Sequence, residues 1–193
     1  ITFEHEDTSG CSPFSASVAE HSHRESIADI HYHLELGIVL KGGAERVYGN
    51  FKLMLEPGDI WFIGIFEPHL IHIEKIPAEF IVFTIDPDYL ANTALTNGRN
   101  ENWLSPFLLP PEHRPQCSDE QRRKIRSASE KFMDNRSLPW KERMKWDSLF
   151  LFEILLTAGQ VETEPVPEKQ TAGNSFFKLR KAIETTLTSS KRI

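Results

Sequence analysis

Cysteine is scarce: two among 193 residues, Cys11 and Cys117, far apart and in no metal-type spacing. They read as reduced thiols in a cytoplasmic protein, and nothing demands a disulfide. An excess of basic charge is missing too. The formal net charge of −6 argues against this chain gripping nucleic acid through a basic face. No run of about 18 apolar residues occurs, so no helix is expected to span a membrane. No basic-then-apolar leader opens the residues given, and there is no internal repeat or low-complexity tract. The chain starts at Ile1 and stops inside a helical pattern at Ile193, so the expectation is a piece of a longer protein.

What remains is enough for a core, since 39% of residues are hydrophobic and 10% aromatic. The length suits one domain with a helical appendage. Residues 14–86 have a β grammar. Phe14, Ala16 and Val18 alternate with polar neighbours, and "HYHLELGIVLKG" follows, closed by Gly42 and Gly43. "ERVYGNFKLMLEPGD" predicts strand, turn and strand, with Gly49-Asn50 as the hairpin signal and Pro57-Gly58 as the next turn. "IWFIGIF" and "EFIVFTID" predict two more strands. Short strands punctuated by Gly and Pro point to an antiparallel sandwich or barrel.

After Pro87 the pattern changes. "PFLLPPEHRPQ" is a proline-studded connector, and Ser118-Asp119-Glu120-Gln121 is a capping box that opens a helix carrying Ile125, Ala128 and Phe132 on one face. A second helix is expected from about Ser137–Pro139 to Gly159. Its latter half is apolar nearly all round, so it must be covered on more than one side. A polar, proline-broken linker leads to a third helix from Asn174 with basic residues along it.

"IHYHLELGIVLKG" carries the chemistry. In a strand, residues two apart share a face, so His31, His33 and Glu35 point one way and Leu34, Leu36, Ile38 and Leu40 the other. A buried imidazole or carboxylate needs polar company, and a cavity holding a small polar ligand would supply it. Metal is the sharper reading, because neutral histidine and carboxylate hold zinc, nickel or iron. His31 and Glu35 would lie roughly 13 Å apart along an extended strand, too far to share one ion, so a further ligand must come from His69 in "EPHLIHI". Trp61 is either a wall of the pocket or core. His21 and His23 read as an exposed loop, and His72 as a satisfied outer-face histidine.

These residues resemble the two motifs of a cupin barrel: HxH on a strand, then Pro57-Gly58-Asp59 and, past a strand, Pro68-His69. The resemblance implies His31, His33 and His69 as metal ligands. The glutamate that metal-binding cupins carry a few residues further on has no counterpart, since Gly37 and Ile38 stand there and Glu35 comes too early. No tightly held metal or other cofactor is therefore expected in protein purified without added ions, although a divalent ion fits the histidines.

The whole chain is similar to the sensory half of AraC-family transcription regulators, with "HLELGIVLKGG" matching that family's strand. This resemblance implies an α+β, mainly β fold: a cupin (double-stranded β-helix or jelly-roll) barrel over 1–95, a connector and helical dimerisation pair over 96–160, and a linker with the first helix leading to an absent DNA-binding module over 161–193. It implies a non-enzymatic sensor. The small-molecule effector, a sugar or carboxylate, would lie near His31, His33, Glu35, Trp61 and His69. A homodimer would form through Leu149, Leu151, Phe152 and Leu155, and DNA would be reached only through helix-turn-helix motifs beyond Ile193. The alternative is a metal-dependent cupin enzyme, an isomerase or dioxygenase, with His31, His33 and His69 holding the ion.

Overall fold

The structure, a computed structural model, describes residues 12–93 and 103–159. Cys11, the polar linker and the expected third helix lie outside them. Among the described residues there are six strands: β1 (Phe14–His21), β2 (Ser26–Asp29), β3 (Leu34–Tyr48), β4 (Phe51–Leu55), β5 (Ile60–Ile63) and β6 (His69–Ile85). Two short helices follow, α1 (Pro87–Asn92) and α2 (Ser105–Leu108), then two long ones, α3 (Asp119–Asp134) and α4 (Trp140–Gly159). The sequence pattern predicts a mainly β chain. Strand and helix instead contribute about equally among the described residues, because α4 alone runs for 20.

All pairings are antiparallel, and β3 and β6 form the spine. At one end the ladder is β1–β6–β3–β5, and at the other β2–β6–β3–β4. The sequence suggests that β3 closes at Gly42-Gly43 and that "HLIHI" and "EFIVFTI" are separate elements. Each is one long strand. β3 passes Gly42 and Gly43 through a run of register shifts between Val39 and Ala44, and β6 passes Pro77 at the same level, so both spine strands bend there rather than stop. The Gly49-Asn50 hairpin forms as expected, with Tyr48 opposite Phe51.

The alternation along β3 divides the core in two. Leu34, Leu36 and Ile38 are fully buried and pack with Phe62, Phe83, Ile125, Phe132, Phe150, Leu151 and Ile154, so one continuous core joins the sheet's outer face to α3 and α4. Val39, on the opposite parity, packs inside with Ala44, Tyr48, Leu55, Trp61, Ile63, Ile73 and Phe80. The Ser118–Gln121 capping box is formed in both directions, at 2.9 and 3.3 Å. The Gln121 amide nitrogen also donates to the Thr157 carbonyl at 2.8 Å and pins the start of α3 to the end of α4. Gly58, at φ +94°, seats α3 on the barrel: a Cβ there would lie 2.8 Å from the Arg122 carbonyl oxygen.

Candidate functional site

Strand β3 begins at Leu34, so residues 31–33 are a bend rather than the first residues of a strand. This overturns the expectation for an extended chain that the two side chains cannot converge: His31 Nε2 lies 3.3 Å from Glu35 Oε2. His33 leaves the group by the same bend. Its carbonyl accepts from His31 Nδ1 at 2.8 Å, while its ring rests against Tyr32, 5.7 Å between centroids. The expected trio of His31, His33 and His69 is thus not gathered, and His31 and His69 alone come together, with ring centroids 5.1 Å apart.

Glu35 points into the barrel and is buried. Its partners are other side chains of the protein. Arg46 Nη2 donates to Oε1 at 2.5 Å, and Trp61 Nε1 donates to the same oxygen at 2.6 Å. Burial pushes the Glu35 carboxyl upward, but Arg46, His31, Trp61 and His69 together outweigh it and hold the pKa at about 2. The hydrogen bond to Glu35 raises the His31 pKa against the cost of its burial. Burial lowers that of His69.

Trp61 is core with one polar bond. It is 2% exposed, stacks under Arg46 at 4.5 Å and meets Phe80 edge-on. Its ring also explains the missing glutamate. A Cβ on Gly37 would stand 1.9 Å from the indole, so the space where a side chain at 37 would go is filled by Trp61.

One residue of the site was missed in the sequence. Asp29 closes β2 and lies directly opposite His69 in the β2–β6 ladder. Side chains so paired stand on one face about 5 Å apart at Cβ. Ligand atoms of Asp29, His31 and His69 all lie within 4.8 Å of one another, the one such group of three among the described residues. No sequence signal marks it, because β2 is only four residues long and mostly exposed. Around this mouth stand Ile30 (57% exposed) and Phe66 (41% exposed), with Tyr32 against Phe66 at 5.7 Å. Phe66 has φ +51°, a left-handed conformation rare for a bulky side chain, and its amide donates to the His31 carbonyl at 2.8 Å.

The loop that carries Phe66 is anchored below. Glu67 accepts from Gly64 N at 2.7 Å and takes both of its oxygens to Arg114 Nη2, each at 2.7 Å. Arg114 also donates to the carbonyls of Phe62 and Leu109 and faces the Tyr48 ring at 5.2 Å. The Glu67 carbonyl accepts from His69 Nδ1 at 2.8 Å. A second ion pair, Arg122 Nε to Asp59 Oδ1 at 2.7 Å, ties α3 to the Pro57-Gly58 turn. Both pairs link the barrel to the connector and helices.

Two other histidines, His21 and His72, are satisfied elsewhere. His21 Nδ1 bonds Glu25 at 2.6 Å and packs on Phe80, so only His23 of that pair is exposed. His72 bonds Ser26. Cys117 is a buried free thiol whose pKa burial pushes to about 11, which makes it inert.

On α4, the residues expected to face a second copy divide. Leu151, Phe152 and Leu155 are buried inside this chain, at 0%, 8% and 3% exposure, because both the sheet and α3 cover that side. Leu149 is 61% exposed, and Trp146 and Leu156 share its outward side. No helix among the described residues is long and apolar enough to cross a membrane.

No family model and no curated protein matches the sequence. Solved structures do. The AraC-like transcriptional activator CuxR matches over 94% of this chain and 63% of its own, with TM-score 0.60 and 10% identity. This chain therefore spans less than two thirds of CuxR's length. A cupin superfamily protein from Desulfitobacterium hafniense matches over 39% of this chain and 70% of its own, with TM-score 0.37 and 18% identity. KdgF from a Halomonas species matches over 42% and 78%, with TM-score 0.36 and 20% identity. The fold is thus α+β, an antiparallel barrel followed by an α-helical pair, and CuxR shares it.

Proposed function

We propose that this chain is the ligand-sensing and dimerising part of an AraC-type transcription regulator. The observation that carries the reading is the likeness to CuxR over nearly the whole chain, helices included, rather than over the barrel alone. The effector enters at the mouth bounded by residues 29–33 and 66–69. It meets Asp29, His31 and His69, with Glu35 behind them and the apolar lip of Ile30, Tyr32 and Phe66 outside. Trp61 and His33 are left with supporting roles, the first bracing Glu35 and the second bonding His31 through its carbonyl.

The homodimer forms through the outer stripe of α4, Trp146, Leu149 and Leu156, at the three- and seven-residue spacings of a helix-to-helix seam. Half of the large apolar side chains exposed among the described residues lie on this helix, which is why it is chosen as the pairing surface. The mouth and the stripe communicate through Glu67–Arg114 and the connector, so occupancy at one end biases the arrangement at the other. The protein has no catalytic role and acts in the cytoplasm, and DNA contacts belong to a module beyond residue 193. The parent gene tests this: two helix-turn-helix patterns are expected in the roughly 100 codons after Ile193, and an immediate stop codon would contradict it.

A further inference from the structure

Two features of the mouth go together. Both imidazoles have their Nδ1–H committed to a backbone carbonyl: His31 to that of His33 and His69 to that of Glu67, each at 2.8 Å. That bond leaves Nε2 of His69 to carry the lone pair, the arrangement by which proteins orient metal-ligating histidines, whereas Nε2 of His31 faces the Glu35 carboxylate at 3.3 Å and releases its proton when it turns to an ion. The third group is a carboxylate, Asp29, opposite His69 in the ladder. One of its oxygens accepts from the Ile30 amide at 2.7 Å, which holds the carboxylate in place and leaves the other oxygen available.

We propose that Asp29, His31 and His69 form a site for an exchangeable first-row divalent cation such as zinc, nickel or cobalt. Asp29 supplies the carboxylate for which Gly37 leaves no room, and His33 is no ligand. This deepens the sensor reading by naming the class of ligand that the mouth takes. Two nitrogens and one oxygen suit this group of metals, while magnesium and calcium prefer all-oxygen shells. Donor atoms about 2 Å from an ion sit roughly 3–3.5 Å from one another, so the three side chains have about an ångström to close. His31 Nε2 gives up its 3.3 Å contact with Glu35 for the ion. Glu35 keeps Arg46 and Trp61 when it does so. Three protein ligands leave coordination positions open, so the ion is held reversibly and an anionic effector can complete its shell.

Titrating the 193-residue chain with Zn²⁺ by calorimetry, and with Co²⁺ by its visible absorption, tests the ligand set. One equivalent should bind. On ¹⁵N spectra the Nε2 signals of His31 and His69 should move, with Nδ1 following less. Asp29→Asn should weaken binding at least tenfold; Asp29 is exposed, and circular dichroism should confirm an intact fold. His33→Ala should leave affinity within twofold. The site is refuted by no binding up to millimolar ion, by binding that survives Asp29→Asn unchanged, or by binding lost in His33→Ala. A mouth without metal affinity would leave the regulator reading standing with an organic effector. Metal binding in a chain whose gene stops at codon 193 would leave the site and remove the regulator.

Discussion

Two open surfaces of this molecule differ in kind. The barrel mouth gathers Asp29, His31 and His69, polar donors backed by a buried carboxylate and rimmed by apolar side chains. The outer side of α4 offers Trp146, Leu149 and Leu156, interspersed with the exposed charges of Glu142, Lys145 and Glu153. A surface of the first kind selects by hydrogen bonds and coordination. One of the second kind selects by area and shape, which is why the proposed pairing with a second copy is put there. The same strand alternation produced both: β3 turns Glu35 inward toward the mouth and Leu34, Leu36 and Ile38 outward to seat the helices.

The largest expected effect separates the two sides of α4. Leu151→Glu places a charge in the shared core and should abolish cooperative folding, whereas Leu149→Glu, on the exposed side, should leave a cooperatively folded monomer that lacks only what pairing adds. Denaturation followed by circular dichroism reads both. Next comes the support of the mouth. Arg114→Met leaves the Glu67 carboxylate buried without its cation and should cost about 3–5 kcal/mol in urea unfolding. Arg46→Met should cost less, because Glu35 retains Trp61 and His31; equal losses would show that those two partners do not support the carboxylate. Gly37→Ala drives a methyl into Trp61 and should cost on the order of 1–3 kcal/mol, with a shift in tryptophan fluorescence that Gly43→Ala does not give. The smallest effect is on the helical side: Ser118→Ala removes half of the capping box and should cost about 1 kcal/mol without touching the mouth.

Much of this was legible in the sequence. The capping box, the Gly49-Asn50 hairpin and the opposed faces of β3 follow from local rules that tertiary context left alone. His31 and His69 were legible as partners by their motifs. Asp29 was not, because β2 is four residues long and mostly exposed, too short to show a period. His33 was misplaced because alternation holds only inside a strand, and the chain bends at 31–33. Arg46 and Arg114 lie 11 and 47 residues from the carboxylates they pair with, distances at which no sequence pattern links them. The α4 face was half legible: an all-apolar helix announces that it is covered, but which side is covered by its own sheet depends on how the helix is rolled against it.

The central claim joins a sensing barrel to a pairing helix, and the pairing is the part most directly measured. Burying about 600 Å² of apolar surface would contribute on the order of 15 kcal/mol at about 25 cal/mol per Å², against association costs of about 4–15 kcal/mol. Sedimentation velocity of the 193-residue chain at micromolar concentration should show a dimer, and Leu149→Glu should sediment as a folded monomer. A wild-type monomer at that concentration, or a dimer indifferent to Leu149→Glu, would contradict the account.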